Sequence, residues 1–258
     1  MGVRIQNLFA KKKNGILSIY FTAGFPELND TVVIIEQLQS CGVDMIEIGI
    51  PFSDPLADGA VIQHSSQVAL TNGMTLKLLF EQLRDIRKSV DIPLLLMGYL
   101  NPILQYGMDK FCEEVNRIGI DGVIIPDLPL NEYLSNYKDL FVNHKIANIF
   151  LITPQTSADR IRLIDQHSNG FIYMVSSSST TGTRTGIDEE KEKYFDRIRK
   201  MNLSKPLMIG FGISERRDFL KASQYTSGAI IGSAFIRELE KGGSLKDNIA
   251  SFIRSIGN

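Results

Sequence analysis

Eight short apolar runs, each followed by an amphipathic segment, succeed one another along the whole chain. The runs lie at 15–24, 43–50, 92–99, 121–128, 147–153, 170–176, 206–212 and 228–235. Each is bounded by Gly, Pro or Asp, as strands buried on both faces of a parallel sheet are. The segments at 29–42, 75–90, 108–119, 130–144, 157–168, 188–202, 214–223 and 244–256 carry apolar residues at helical spacing. The first of these opens on a capping Asn or Asp and closes at Gly42. Eight such units in 258 residues fit a closed (β/α)8 TIM barrel with extra short helices, one domain over residues 1–258. The alternative is an open doubly wound sheet. That fold usually carries G-x-G-x-x-G after its first strand, whereas "FTAGFPELND" at 21–30 offers a single glycine.

Composition narrows the function classes. A hydrophobic content of 43% supplies a sizeable core, and a net charge of −1 gives no basic stripe for nucleic acid. Lys11, Lys12 and Lys13 form the one dense basic run, which reads as a solvated turn. Cys41 and Cys112 fall in helix-like segments without CxxC spacing, so neither a disulfide framework nor a zinc site is expected. The first residues lack a basic region followed by an apolar signal core. The longest apolar stretch, "IPLLLMGYL", is far shorter than a membrane span. A cytoplasmic protein is the expectation.

In a barrel, catalytic groups sit at the C-terminal ends of the strands. The second strand runs directly into "EIGIPFSDPLADG" at 47–59. Alternation places Ile46, Ile48 and Ile50 on one face and Met45, Glu47 and Gly49 on the other. If the isoleucines pack under helices, Glu47 points into the barrel. The first strand agrees: Leu17, Ile19 and Phe21 share the apolar face, and Ser18, Tyr20 and Thr22 the other. Desolvation raises the pKa of an inward glutamate unless a cation offsets it, giving a carboxyl able to act as acid and base near neutral pH. The competing reading is a structural ion pair with Arg or Lys. Asp54 and Asp58 follow in the loop, where aspartates commonly cap turns or helices. Asp58 could cap a helix starting near Ala60. Asp127 lies at another strand end without a histidine, and His64, His144 and His167 fall in helical or helix-end contexts. A hard-cation site would need further clustered oxygen ligands.

"GFGIS" at 210–214 ends the seventh strand and "GSAF" at 232–235 the eighth, leading into a short extra helix. Barrels commonly bind phosphate at this place. Gly212, Gly232 and Ser233 can bring backbone N–H groups close to phosphate oxygens; the plainer reading is tight turns. "SSSSTTGTRTG" at 176–186 follows the sixth strand. Small, polar and long for a βα connection, it reads as an active-site lid whose Gly182 adds a phosphate donor. No lysine ends any proposed strand, and Lys205 precedes the seventh. A Schiff-base aldolase, which needs a buried site lysine, is therefore excluded.

Together "EIGIPFSDPLADG" with Ile62 and Gln63, "MGYLNPILQYG" (97–107), "GVIIPDLP" (122–129), "YMVSSSSTTG" (173–182), "GFGIS" and "GSAF" closely resemble the tryptophan synthase alpha chain family over essentially the full length. The resemblance implies retro-aldol cleavage of indole-3-glycerol phosphate to indole and glyceraldehyde 3-phosphate. It puts the family's acid/base on Glu47 and its second catalytic carboxylate on Asp58, with Asp54 a loop or partner-contact residue. The site tyrosine falls on Tyr173 and the lid threonine on Thr181. Gly182, Gly212, Gly232 and Ser233 take the phosphate, and Tyr20 and Ile62 line the indole pocket. It also implies an alpha2-beta2 heterotetramer with a beta chain that holds pyridoxal phosphate, this chain needing no cofactor. Ser177 and Ser179 stand where better-known members have an arginine and a glycine. The alternatives are a stand-alone lyase releasing free indole, or a regulatory subunit without activity.

Overall fold

The structure, a computed structural model, describes residues 2–56, 58–175, 189–210 and 212–257. Its strands are β1 (Ile16–Thr22), β2 (Met45–Gly49), β3 (Leu94–Met97), β4 (Gly122–Ile124), β5 (Ala147–Ile152), β6 (Ile172–Val175), β7 (Leu207–Gly210) and β8 (Gly228–Ile231). All neighbours pair in parallel and β8 returns to β1, closing the barrel. The open-sheet alternative is thereby overturned. Each of the eight apolar runs contains one of these strands, trimmed at its ends.

The helices are α1 (Val3–Lys11), α2 (Asp30–Ser40), α3 (Ala60–Thr71), α4 (Leu76–Gln82), α5 (Leu100–Tyr106), α6 (Met108–Ile118), α7 (Leu130–Glu132), α8 (Lys138–Asn143), α9 (Ala158–His167), α10 (Glu189–Arg199), α11 (Arg216–Ala222), α12 (Ser233–Leu239) and α13 (Leu245–Gly257). The short extra helix expected after the eighth strand is α12. Two expected helices are interrupted. The segment 75–90 stops at Gln82 and resumes as a 3-10 turn at Ile86–Lys88. There Arg87 turns inward, and its guanidinium donates to the carbonyls of Gly119, Val90 and Ile92. Leu83, Ile86 and Val90 are all buried, so the apolar spacing survives the break. The segment 130–144 carries a π-helical stretch at Tyr133–Tyr137 between α7 and α8. There Tyr133 packs edge-on against Phe141 and Phe150.

Helices α1 and α5 go beyond the sequence expectation. In α5, Pro102 occupies the first turn, where its missing N–H costs no intrahelical bond. The side chain of Asn29 makes no cap at α2; Asp30 instead accepts from the N–H of Glu27.

Register fixes what faces the barrel interior. Tyr20 stands beside Glu47, Glu47 beside Leu95, and Thr22 beside Gly49. Every residue of β1 and β2 is buried, so burial alone would not reveal the parity. Hydrogen bonding does: the Ser18 hydroxyl donates to Glu47 Oε1 at 3.1 Å. The inward face is thus Ser18, Tyr20 and Thr22 with Met45, Glu47 and Gly49, as alternation predicts.

Candidate active site

β2 carries Glu47 to the barrel mouth, and Pro51, which lacks a backbone donor, sends the chain out of the sheet. Glu47 has no exposed surface. Its Oε1 accepts from Ser18, while Oε2 has no hydrogen-bond partner among the described residues. No salt bridge to Glu47 occurs among them either, so no described Arg or Lys supports the structural ion-pair reading. Burial pushes its pKa from the ordinary 4.5 to about 8, and the Ser18 hydrogen bond opposes that rise.

Asp58 lies in the loop after β2. It does not cap the following helix: Gly59 is the N-cap of α3 and receives no side-chain bond. Asp58 Oδ2 instead accepts from the Tyr99 hydroxyl at 3.1 Å. Desolvation raises its pKa to about 6, and the Tyr99 bond again opposes. Asp58 is only partly buried, which accounts for the smaller rise. Asp54 is exposed and accepts from neighbouring Ser53 at 2.5 Å. Geometry therefore separates the two loop aspartates, which spacing alone left equivalent.

Two tyrosines complete the mouth. A Cβ on Gly49 would overlap the Tyr20 hydroxyl, and one on Gly210 would overlap that of Tyr173. Each ring thus lies across a glycine of a nearby strand. Tyr20 also packs against Gly232. Burial keeps both phenols protonated far above their ordinary range, and the charges of Glu47 and Asp58 act on both. The two carboxyls and two phenols therefore share one site. Beside it a small pocket is lined by Tyr20, Ile50, Phe52, Asp58, Met97 and Tyr99, among others.

Ile62 is buried in the first turn of α3. The hydroxyls of Thr22 and Ser65 meet at 2.7 Å, and Ser65 donates to the Ile62 carbonyl. This bond holds α3 against β1. Across the mouth, Gly212 follows β7 with a φ of +73°, a conformation that favours glycine. The loop is braced by buried Asp218, which accepts from the Ser214 backbone at 3.4 Å and its hydroxyl at 3.3 Å. Gly232 is the N-cap of α12 and Ser233 its first residue; first-turn N–H groups have no intrahelical acceptor. α12 packs on β1 and α3, and His64 pairs with Glu240 at 3.3 Å just beyond it. Thr181, Gly182, Ser177 and Ser179 lie outside the described residues.

Ser18, Tyr99, Thr22, Ser65 and Asp218 are contributions that the sequence argument did not assign. Ser18 and Thr22 alone left a signal, the polar parity of the first strand. Asp127 accepts from the Leu100 N–H at 2.9 Å, serving the start of α5 rather than the pocket. Among the described residues, no three His, Cys, Asp or Glu side chains are grouped to hold a metal. Both cysteines are free.

The family model for the tryptophan synthase alpha chain matches residues 5–256. The chain belongs to that family. The alpha chain from Flavobacterium psychrophilum is 59% identical, covering 97% of this chain and 98% of the relative. That from Parabacteroides distasonis is 56% identical, covering 92% of each. The crystal structure of tryptophan synthase subunit alpha from Legionella pneumophila superposes with a TM-score of 0.88 at 34% identity, covering 98% of this chain and 96% of that one. As a member of the tryptophan synthase alpha chain family, the protein is a lyase of tryptophan biosynthesis, whose alpha subunit cleaves indole-3-glycerol phosphate. No described helix is long and apolar enough to cross a membrane.

Proposed function

We propose that a single barrel domain over residues 1–258 cleaves indole-3-glycerol phosphate to indole and glyceraldehyde 3-phosphate by general acid–base catalysis, with Glu47 as both acid and base. The observation that carries this reading is the buried Oε2 of Glu47, without a partner among the described residues, on a carboxyl whose pKa lies at about 8. Near pH 7 Glu47 holds a proton while Asp58, at about 6, is mostly ionised. Two carboxyls driven apart in this way divide acid and anion roles between them.

Glu47 gives its proton to C3 of the indole ring. The positive charge that develops at the ring nitrogen is stabilised by the Asp58 carboxylate in a site sheltered from water. The bond from C3 to the glycerol side chain then breaks, and its electron pair restores the aromatic ring. The glycerol 3′-hydroxyl becomes the aldehyde by passing its proton to the ionised Glu47, which is thereby ready for another turnover. Tyr20 and Ile62 line the indole pocket and Tyr173 bounds it across the mouth. Backbone N–H groups of Gly212, Gly232 and Ser233, joined by Gly182, hold the phosphate, whose binding energy positions the reacting bond. Thr181 acts with Asp58.

The natural partner is a beta chain carrying pyridoxal phosphate, in an alpha2-beta2 assembly in the cytoplasm; this chain binds no cofactor of its own. Exposed Leu56 (87%), in the loop after β2, and Leu104 (46%), on α5 after adjacent β3, support docking at the catalytic face. Asp54 lies in the same exposed loop as Leu56. Incubation with indole-3-glycerol phosphate, following indole release, tests the reading. Activity stimulated by a beta chain supports a synthase subunit. Equal activity with and without one favours a stand-alone lyase, and no indole under either condition favours a regulatory subunit.

A further inference from the structure

We infer that Ser18 is a positioning residue that holds Oε1 of Glu47, so that Oε2 alone carries the proton in both halves of the reaction. This rests on the proposed acid–base role of Glu47 and names the atom through which that role is exercised.

Ser18 and Glu47 are both fully buried on adjacent strands, and among the described residues their side chains hydrogen-bond only to each other. A hydroxyl offers one proton. If Glu47 is ionised, Oε1 accepts that proton. If Glu47 is protonated on Oε2, Oε1 is a carbonyl oxygen and accepts it equally well. The Ser18 contact therefore persists unchanged through the proton cycle. A proton on Oε1 would reverse the bond and deprive the serine hydrogen of the acceptor it has here. Oε2 is the complementary case: buried, and without a partner among the described residues. The titratable groups that face this carboxyl are Tyr20 from β1 and Tyr173 from β6, and Asp58 from the loop after β2 acts on the same two phenols. Both tyrosines stay neutral, and no described lysine, arginine or histidine pairs with Glu47. Ser18 is thus the one charge-stabilising donor identified on it.

Removing that donor has two effects that a purely structural role would not produce together. Orientation is lost, so kcat falls. Stabilisation of the carboxylate is also lost, so the proton is held to higher pH and the basic limb of kcat/KM moves upward. Ser18→Ala should lower kcat roughly tenfold or more, the value of a hydrogen bond to a charged group. KM should stay within about twofold, because uniform binding is untouched. Ser18→Thr, which keeps the hydroxyl, should restore most of the rate and return the limb toward its wild-type position.

The test measures full pH–rate profiles of wild type, Ser18→Ala, Ser18→Thr and Glu47→Gln with indole-3-glycerol phosphate, alongside thermal melting of each. An inactive Glu47→Gln with a slow, upward-shifted Ser18→Ala supports the clamp. An inactive Glu47→Gln with Ser18→Ala unchanged in kcat and pH profile overturns the clamp and leaves the role of Glu47 standing. Full activity in Glu47→Gln overturns the underlying acid–base reading. Loss of rate in Ser18→Ala matched by a collapsed melting temperature, with no shift of the limb, assigns Ser18 to packing and also overturns the clamp.

Discussion

Glu47 and Asp121 are both buried carboxylates of this barrel, 0% and 4% exposed, and they stand near its opposite ends. Asp121 precedes β4 on the face away from the site. Arg87 meets it at 2.5 Å, Arg4 reaches in from α1 at 3.3 Å, and the Leu94 N–H donates at 3.0 Å. Its charge is matched and both oxygens are bonded. Glu47 receives one neutral hydroxyl and no cation among the described residues. A carboxylate with matched partners fastens α1 and the turn carrying Arg87 under the barrel. A carboxyl deprived of them keeps its proton and can deliver it. Equal burial thus serves opposite ends, and the partner set distinguishes them.

Substitutions at each end sharpen this contrast. Glu47→Gln should reduce indole release by about 10³-fold or more, within the range for a positioned general acid–base, while a bound glycerol phosphate analogue retains its affinity. Its stability should move the other way. The unfolded carboxyl ionises near 4.5, but the folded one holds its proton up to about 8. The folded state therefore loses stability as pH rises through that window, at up to about 1.4 kcal/mol per pKa unit. Glutamine has no such loss, so Glu47→Gln should melt higher than wild type at pH 8 and match it near pH 4. Lower melting of the variant at pH 8 would contradict the contrast.

Asp121→Ala should do the reverse. Leaving Arg87 buried without its carboxylate should cost about 3–5 kcal/mol in denaturant unfolding, with kcat per folded molecule unchanged. A large fall in kcat would mean the two ends are not independent. Asp58→Asn comes next, with cleavage reduced on the order of 10²-fold through loss of the anion that stabilises the ring charge. Smallest is Tyr99→Phe. It removes a donor that favours ionised Asp58, so the acid limb of the rate profile should move to higher pH, with less than about a tenfold loss at pH 7. The substrate phosphate also titrates near pH 6. Only displacement of the limb relative to wild type is therefore diagnostic, and an unmoved limb would remove Tyr99 from the account.

The barrel was legible in the sequence because each strand is a continuous apolar run cut by Gly, Pro or Asp, and because eight of them recur, each followed by an amphipathic segment. Glu47 was legible for the same reason, since a charge within an alternating strand declares its face. Asp58 and Asp54 were not separable by spacing. What distinguishes them is Tyr99, a partner 41 residues away in sequence, and no local pattern reports such a contact. Ser18 showed its inward face but not its partner, which lies 29 residues on. The break after α4 leaves Arg87 turned toward Asp121, a tertiary contact that helical periodicity does not contain. Gly49 read only as an inward-face strand residue and Gly210 as the start of a strand-ending turn, yet each leaves the space that a tyrosine ring occupies.

The central claim is that Glu47 is a proton donor near neutral pH because its partners are withheld. Infrared difference spectroscopy of wild type against Glu47→Gln, titrated from pH 4 to pH 10, measures this directly through the protonated carboxyl C=O stretch. The account predicts a band absent from the variant that disappears with a midpoint near pH 8. A band already lost by pH 5 would show an ordinary ionised glutamate and would contradict it.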